Sequence, residues 1–255
     1  MEKIKIVVVE PAGALNIGSI ARVMKNMGLT QLVLVNPRCN PVGEEARQMA
    51  VHAQDILDNI VVVDSLPIAL QECQRAITTT ARPRALFTDL ESPRKALPWL
   101  IEPNVNSALI FGPEDRGLSN QELNYGQRFV GIPANPVYSS LNLAQAVGIC
   151  AYELYQAFLS QNIDKSPAYA NLQENPTNNN NSVSSQDAPV EAVEAYYDNL
   201  ESLLLDIGYL YPHTAATRMA KVRRLYNRSY LKLEEVSMLR GMLRQIRWAM
   251  NRNRP

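Results

Sequence analysis

Cysteine and histidine are scarce, with three Cys and two His in 255 residues. Cys39, Cys73 and Cys150 are dispersed with no CxxC spacing. An odd, scattered set argues against a disulfide framework and suits a reducing compartment, so a cytoplasmic location is expected. His52 and His213 lie far apart, and no closely spaced Cys, His or carboxylate ligands accompany them, so no metal site is expected. Neither histidine has a Ser or Cys partner visible in the sequence, which argues against a hydrolytic triad. No apolar run approaches the ~18 residues of a membrane span. The opening MEKIKIVVVEPAG lacks the long apolar stretch and small-residue cleavage site of a signal peptide and reads as a strand.

Net charge is also missing, with 25 basic residues against 25 acidic, but the balance is uneven. Residues 216–255 hold eleven Lys/Arg against Glu234 and Glu235, a net +9, and residues 1–215 carry −9. A chain neutral on average but split this way points to one end that meets a polyanion.

Composition divides the chain. Gln161–Pro189, containing NLQENPTNNNNSVSSQDAP, is polar with no hydrophobic period and reads as a flexible linker. It separates residues 1–160 from a basic helical extension at 190–255. The first part alternates strand-length apolar runs (Ile4–Val9, Leu32–Val35, Ile60–Val63, Ala76–Thr79, Ala108–Phe111, Phe129–Ile132) with helical patterns. In the first helix Ile20, Val23, Met24 and Met27 share a face, and Gly28 reads as its C′ residue. This order predicts an α/β fold with a mostly parallel sheet covered on both faces. In the last part, Val193, Tyr197, Leu200, Leu204 and Ile207 form one stripe, and Val236, Leu239, Leu243, Ile246 and Met250 form another, predicting a small helical bundle. Lys221, Arg224 and Arg228 make one basic row and Arg240, Arg244 and Arg247 a second. Each row is either a solvated face or a nucleic-acid contact, and their single sign favours the contact.

Familiar nucleotide motifs are absent. There is no GxGxxG. Gly112-Pro-Glu-Asp-Arg-Gly117-Leu-Ser119 mimics P-loop spacing, but Leu118 occupies the lysine position, and Glu114 and Asp115 would face the phosphates. Three other segments stand out: Asn16-Ile-Gly-Ser-Ile-Ala-Arg22 after the first strand, Phe111–Leu118 after a late strand, and Ile132–Ala146 leading into a long helix. Each places Gly, Pro and polar side chains at the C-terminal end of a strand, where open α/β sheets bind ligands. Taken singly, each also reads as an ordinary turn, with Asn16 and Ser139 or Ser140 as helix caps.

These stretches, NIGSIAR, FGPEDRGL and IPANPVYSSLNLAQA, resemble in order and position the three motifs of the SPOUT-class (SpoU/TrmH-type) RNA ribose 2′-O-methyltransferases. With its C-terminal extension the chain is similar to the TrmJ branch, whose members methylate the 2′-hydroxyl at nucleotide 32 of the tRNA anticodon loop, on cytidine or uridine. The resemblance implies S-adenosylmethionine as donor, tRNA as partner, a homodimer, and a trefoil knot in the C-terminal part of the catalytic domain. It implies no metal. Its rivals are a ribosomal RNA 2′-O-methyltransferase and a non-catalytic RNA-binding protein of the same fold.

The resemblance also implies roles. Arg22 is the catalytic residue, either as a base or as a group that holds a phosphate and stabilises the developing oxyanion; a guanidinium is a poor base, which favours the second. Asn16 and Glu114 shape the same pocket, and Ser140 and Asn142 orient ribose or donor. Thr79, Thr80, Ala81, Gly112, Ile132, Ser139, Ser140 and Leu141 fall at donor-site positions. Lys221, Arg224, Arg228, Arg240, Arg244 and Arg247 are candidate RNA contacts.

Overall fold

The structure, a computed structural model, describes residues 1–81, 90–161 and 187–252. Most of the expected linker, residues 162–186, lies outside the described residues. The first part contains β1 (Ile4–Val9), α1 (Ala14–Asn26), β2 (Gln31–Val35), α2 (Glu44–Ala50), α3 (Gln54–Asp58), β3 (Val61–Val63), α4 (Leu66–Ala69) and β4 (Arg75–Thr79). It continues through α5 (Pro93–Ala96), a 3₁₀ turn (Leu97–Ile101), β5 (Ser107–Phe111), α6 (Asn120–Leu123), β6 (Arg128–Val130) and α7 (Leu143–Gln161). All strand pairings are parallel, in the order β3-β2-β1-β5-β4-β6.

Strand β1 shows why its run is continuously apolar. Ile4, Ile6 and Val8 face a core shared with α1, α2, α3 and α7. Val7 and Val9 face a second core with α4 and α6. A strand covered on both faces has no polar side to alternate with. Helix α1 buries Ile17, Ile20, Ala21 and Met24 and ends with Gly28 at φ +66°, where a side chain would be strained. Gly18 lets α1 approach α2, because a Cβ there would lie 2.1 Å from the Ala46 carbonyl oxygen. The three cysteines are free thiols, and burial pushes the Cys73 thiol up to about 11 and Cys150 up to about 12.

Helices α8 (Val190–Asp206), α9 (Pro212–Asn227) and α10 (Leu233–Arg252) pack around Tyr196, Tyr197, Leu203, Met219, Val236 and Leu243. Both expected stripes supply this core, except that Ile207 and Ile246 are exposed. The unit docks where β4 and β6 begin. The Val190 N–H donates to the Cys73 carbonyl at 2.7 Å, and Asn227 Nδ2 donates to the carbonyls of Asn124 and Gly126 at 3.4 and 3.3 Å. Asp187, Ala188 and Pro189, assigned to the linker by composition, are instead packed. Asp187 pairs with Arg75 at 2.9 Å and with Lys232 at 2.5 Å, and Ala188 is buried. Side-chain exposures of 8% for Arg75 and 11% for Asp187 mark a buried pair.

Candidate active site

The strand ends opposite this docking point frame a cavity. β4 leads into Thr79, Thr80 and Ala81, β5 into Gly112–Leu118, and β6 into Ile132 and the segment that returns as Ser139–Leu141. All eight expected donor-site residues line it, together with Glu114 and an apolar wall of Phe111, Leu118, Val130, Leu143 and Ala146. The cavity holds about 140 Å³ and opens to one side. Mostly apolar walls with a few placed polar groups are the usual make-up of a small-molecule site. Leu118, Leu143 and Ala146 lie within the motif stretches but have no polar chemistry to mark them; Val130 reads as ordinary core.

The loop after β5 folds tightly back on itself. A Cβ at Gly112 would lie 2.3 Å from the Leu118 nitrogen and 2.4 Å from the Gly117 carbonyl carbon, so only glycine fits. Gly117 sits at φ +66°, and its N–H donates to the Pro113 carbonyl at 2.9 Å. The loop's charged groups are paired. Arg38 forks onto Asp115 with two bonds of 3.1 Å, and Arg116 bridges Glu122 at 2.8 Å and Glu10 at 3.3 Å. Ser119 and Glu122 form a capping box for α6.

Glu114 does not face a phosphate position. Its carboxylate sits at the start of α1, accepting from the N–H groups of Ala12 at 3.1 Å and Gly13 at 3.3 Å and from Asn16 Nδ2 at 2.8 Å. Burial pushes this carboxyl up, but those hydrogen bonds outweigh it and hold Glu114 below the ordinary value. Asn16 Oδ1 in turn accepts from Asn142 Nδ2 at 3.0 Å. Asn142 Oδ1 accepts from the Ala144 and Gln145 N–H groups at 2.9 and 3.3 Å, capping α7. Asn142 is thus the cap of this motif, rather than Ser139 or Ser140, and Asn16 caps nothing because the N-cap of α1 is Gly13. One hydrogen-bonded chain, Glu114–Asn16–Asn142, joins the three sequence segments.

Arg22 is not brought to this cavity. It lies six residues beyond Asn16 on α1, about 9 Å along the axis and about a third of a turn around it. Arg22 is exposed and makes no ion pair among the described residues. The basic rows also separate. Arg224 and Arg228 line a cleft against Asn124, Gln127 and Phe129 of the first part, and Arg224 is half-buried there. Lys221 is exposed. Arg240, Arg244 and Arg247 line a groove against α8. Among the described residues no group of three or more His, Cys, Asp or Glu is placed to hold a metal, and no helix is long and apolar enough to cross a membrane.

Residues 3–152 match the SpoU rRNA methylase family, and residues 191–255 match the tRNA methyltransferase TrmJ C-terminal domain. The tRNA (cytidine/uridine-2′-O-)-methyltransferase TrmJ of Klebsiella pneumoniae is 39% identical over 251 residues, covering 96% of this chain and 97% of its own. The chain belongs to the SpoU methylase family, in its TrmJ branch. The tRNA (cytidine/uridine/adenosine-2′-O-)-methyltransferase TrmJ of Pseudomonas aeruginosa is likewise 39% identical, over 95% of this chain and 93% of its own. TrmJ from Z. mobilis has a similar structure, with a TM-score of 0.79 at 30% identity over 95% of this chain and 98% of that one. The match to the TrmJ C-terminal domain begins at Glu191, one residue into α8.

Proposed function

We propose that this TrmJ-branch chain transfers a methyl group from S-adenosylmethionine to a ribose 2′-hydroxyl of tRNA, at cytidine or uridine 32 of the anticodon loop. The observation that carries the reading is the Glu114–Asn16–Asn142 chain, which ties the three motif segments around the cavity at the strand ends. The residues fit the donor. Gly112 lets the loop after β5 close against Gly117 and Leu118 at the cavity wall, and the cavity pairs an apolar wall with Thr79, Thr80 and Ser139. S-adenosylmethionine supplies an activated methyl group as a sulfonium. Thr79–Ala81, Gly112, Ile132 and Ser139–Leu141 hold it, and Ser140 and Asn142 orient the ribose.

Arg22 stabilises the oxyanion and holds the neighbouring phosphate, and its placement supports its acting across a homodimer. It lies on the exposed side of α1 beside Leu15, and α1 adjoins α7 where Val23 approaches Gly148. Ile149 and Tyr152 of α7 are exposed. Exposed Leu15 on α1 and Ile149 and Tyr152 on the adjoining α7 suit a second copy, which would carry its own Arg22 toward the partner's cavity. The trefoil knot and the cytoplasmic location belong to the same reading. The test is methylation of an unmodified tRNA transcript by the purified chain. The reading expects transfer with an ordinary ribose at position 32 and none when that nucleotide is 2′-deoxy; transfer that ignores the 2′-deoxy substitution would refute it.

A further inference from the structure

Helix α10 carries a pattern that two basic rows do not describe. Residues at intervals of four fall on one row of a helix, and the row here is Arg240, Arg244, Trp248, Arg252. Trp248 is 58% exposed, although indoles are mostly buried. The Arg252 guanidinium lies 5.2 Å from its ring centroid. Beside this row runs a groove between α8 and α10, lined by Asn199, Ser237, Arg240, Leu243, Arg244 and Arg247. Arg247 is held there by bonds from Nη2 to the Asn199 carbonyl at 3.4 Å and Ser202 Oγ at 2.8 Å. Arg240 and Arg244 have no carboxylate partner among the described residues, so the groove concentrates positive charge that no described residue neutralises. Like charges four apart on a helix repel, a cost that an anionic ligand would relieve.

We infer that this groove and Trp248 together form a site for one unpaired nucleotide of RNA, its phosphate among Arg240, Arg244 and Arg247 and its base stacked on the indole. The site rests on the reading of the chain as an RNA methyltransferase and adds that its C-terminal unit selects single-stranded over duplex RNA. An arginine groove alone serves both forms, because both present phosphates. An exposed aromatic face serves only a base that has left its stack.

The test uses the full chain and labelled RNA. An oligouridine heptamer should bind at least tenfold tighter than a duplex of the same length. Trp248→Ala should weaken heptamer binding roughly five- to hundredfold, the range for losing one stacked base, while Trp248→Phe keeps most of the affinity. Arg240→Gln with Arg244→Gln should lower affinity and flatten its salt dependence, by about 0.7 in log–log slope for each phosphate no longer neutralised. Equal affinity for heptamer and duplex, or a Trp248→Ala protein that binds the heptamer like wild type, would overturn the site. Donor binding, measured by calorimetry on the same variants, should not change. Its absence from the wild type would count against the methyltransferase reading and leave the nucleotide site standing on the RNA titrations.

Discussion

Asn142 Nδ2 donates to Asn16 Oδ1 across 3.0 Å, joining residues 126 positions apart in sequence. The amide orientations in this pair are fixed. Asn142 Oδ1 is engaged by the α7 N–H groups, so its Nδ2 must face Asn16; Asn16 then accepts with Oδ1 and turns its own Nδ2 to Glu114. Asn142→Ala removes the α7 cap and the link to Asn16 at once. Loss of a cap costs about 1 kcal/mol, so the protein should stay folded but turn over slowly, with the KM for tRNA and kcat both affected. A stability loss in urea unfolding with wild-type turnover would show that the asparagine serves only α7.

Gly112→Ala should abolish donor binding. Its Cβ would meet backbone atoms of Gly117 and Leu118, which cannot swing aside as a side-chain tip would. The loop would have to shift, at about 1–3 kcal/mol, the usual scale for overpacking. Calorimetric titration with S-adenosylmethionine should then give no heat from a protein that still unfolds cooperatively.

Glu114 gives a pH signature. Its carboxyl is held below the ordinary 4.5 in the folded chain, so the folded state favours the ionised form. The resulting stability is full above the unfolded value and fades as pH falls through the lower folded value. Wild type should therefore exceed Glu114→Gln in Tm at pH 7, and the gap should close as pH drops below 4.5. A gap that stays constant down to pH 3 would mean the carboxylate charge is irrelevant to the α1 contact.

The expected segments fall within two residues of β1–β6; the inner strands are legible because burial on both faces leaves a continuous apolar run, whereas the edge strand β3, with Val61 and Val62 exposed, is legible only from its run of β-branched residues. The short helices α4, α5 and α6 are not, since four residues carry no period to read. Motif resemblance marks the donor-site residues and puts Asn16 in one pocket with Glu114, whereas the Ala12 and Gly13 N–H groups that also hold this carboxylate have no mark in the sequence. A carboxylate in a glycine-rich turn reads as repelling phosphate until the start of α1 is seen to approach it. The α9 row likewise reads as a solvated face or an RNA contact, because only the docking of Asn227 on Asn124 and Gly126 turns Arg224 inward. Trp248 gives no signal by itself, since a single indole among arginines has no meaning until its exposure is known.

Arg22→Ala should lower turnover about a hundredfold or more, the usual scale for removing one group that stabilises a transition-state oxyanion. Donor affinity should be unchanged, because Arg22 does not line the donor cavity. If the residue acts across a dimer, mixing Arg22→Ala with Gly112→Ala protein should restore part of the activity through mixed dimers that hold one intact site. Two inactive homodimers that gain nothing on mixing would place Arg22 and Gly112 in the same protomer's site.

Ribose methylation of tRNA by this chain is read out by mass spectrometry of total tRNA from cells that lack it. A 2′-O-methyl group on cytidine or uridine 32 should disappear, return with the wild-type chain, and fail to return with Arg22→Ala. An unchanged modification at nucleotide 32, or a lost methyl that maps to ribosomal RNA instead, would contradict it.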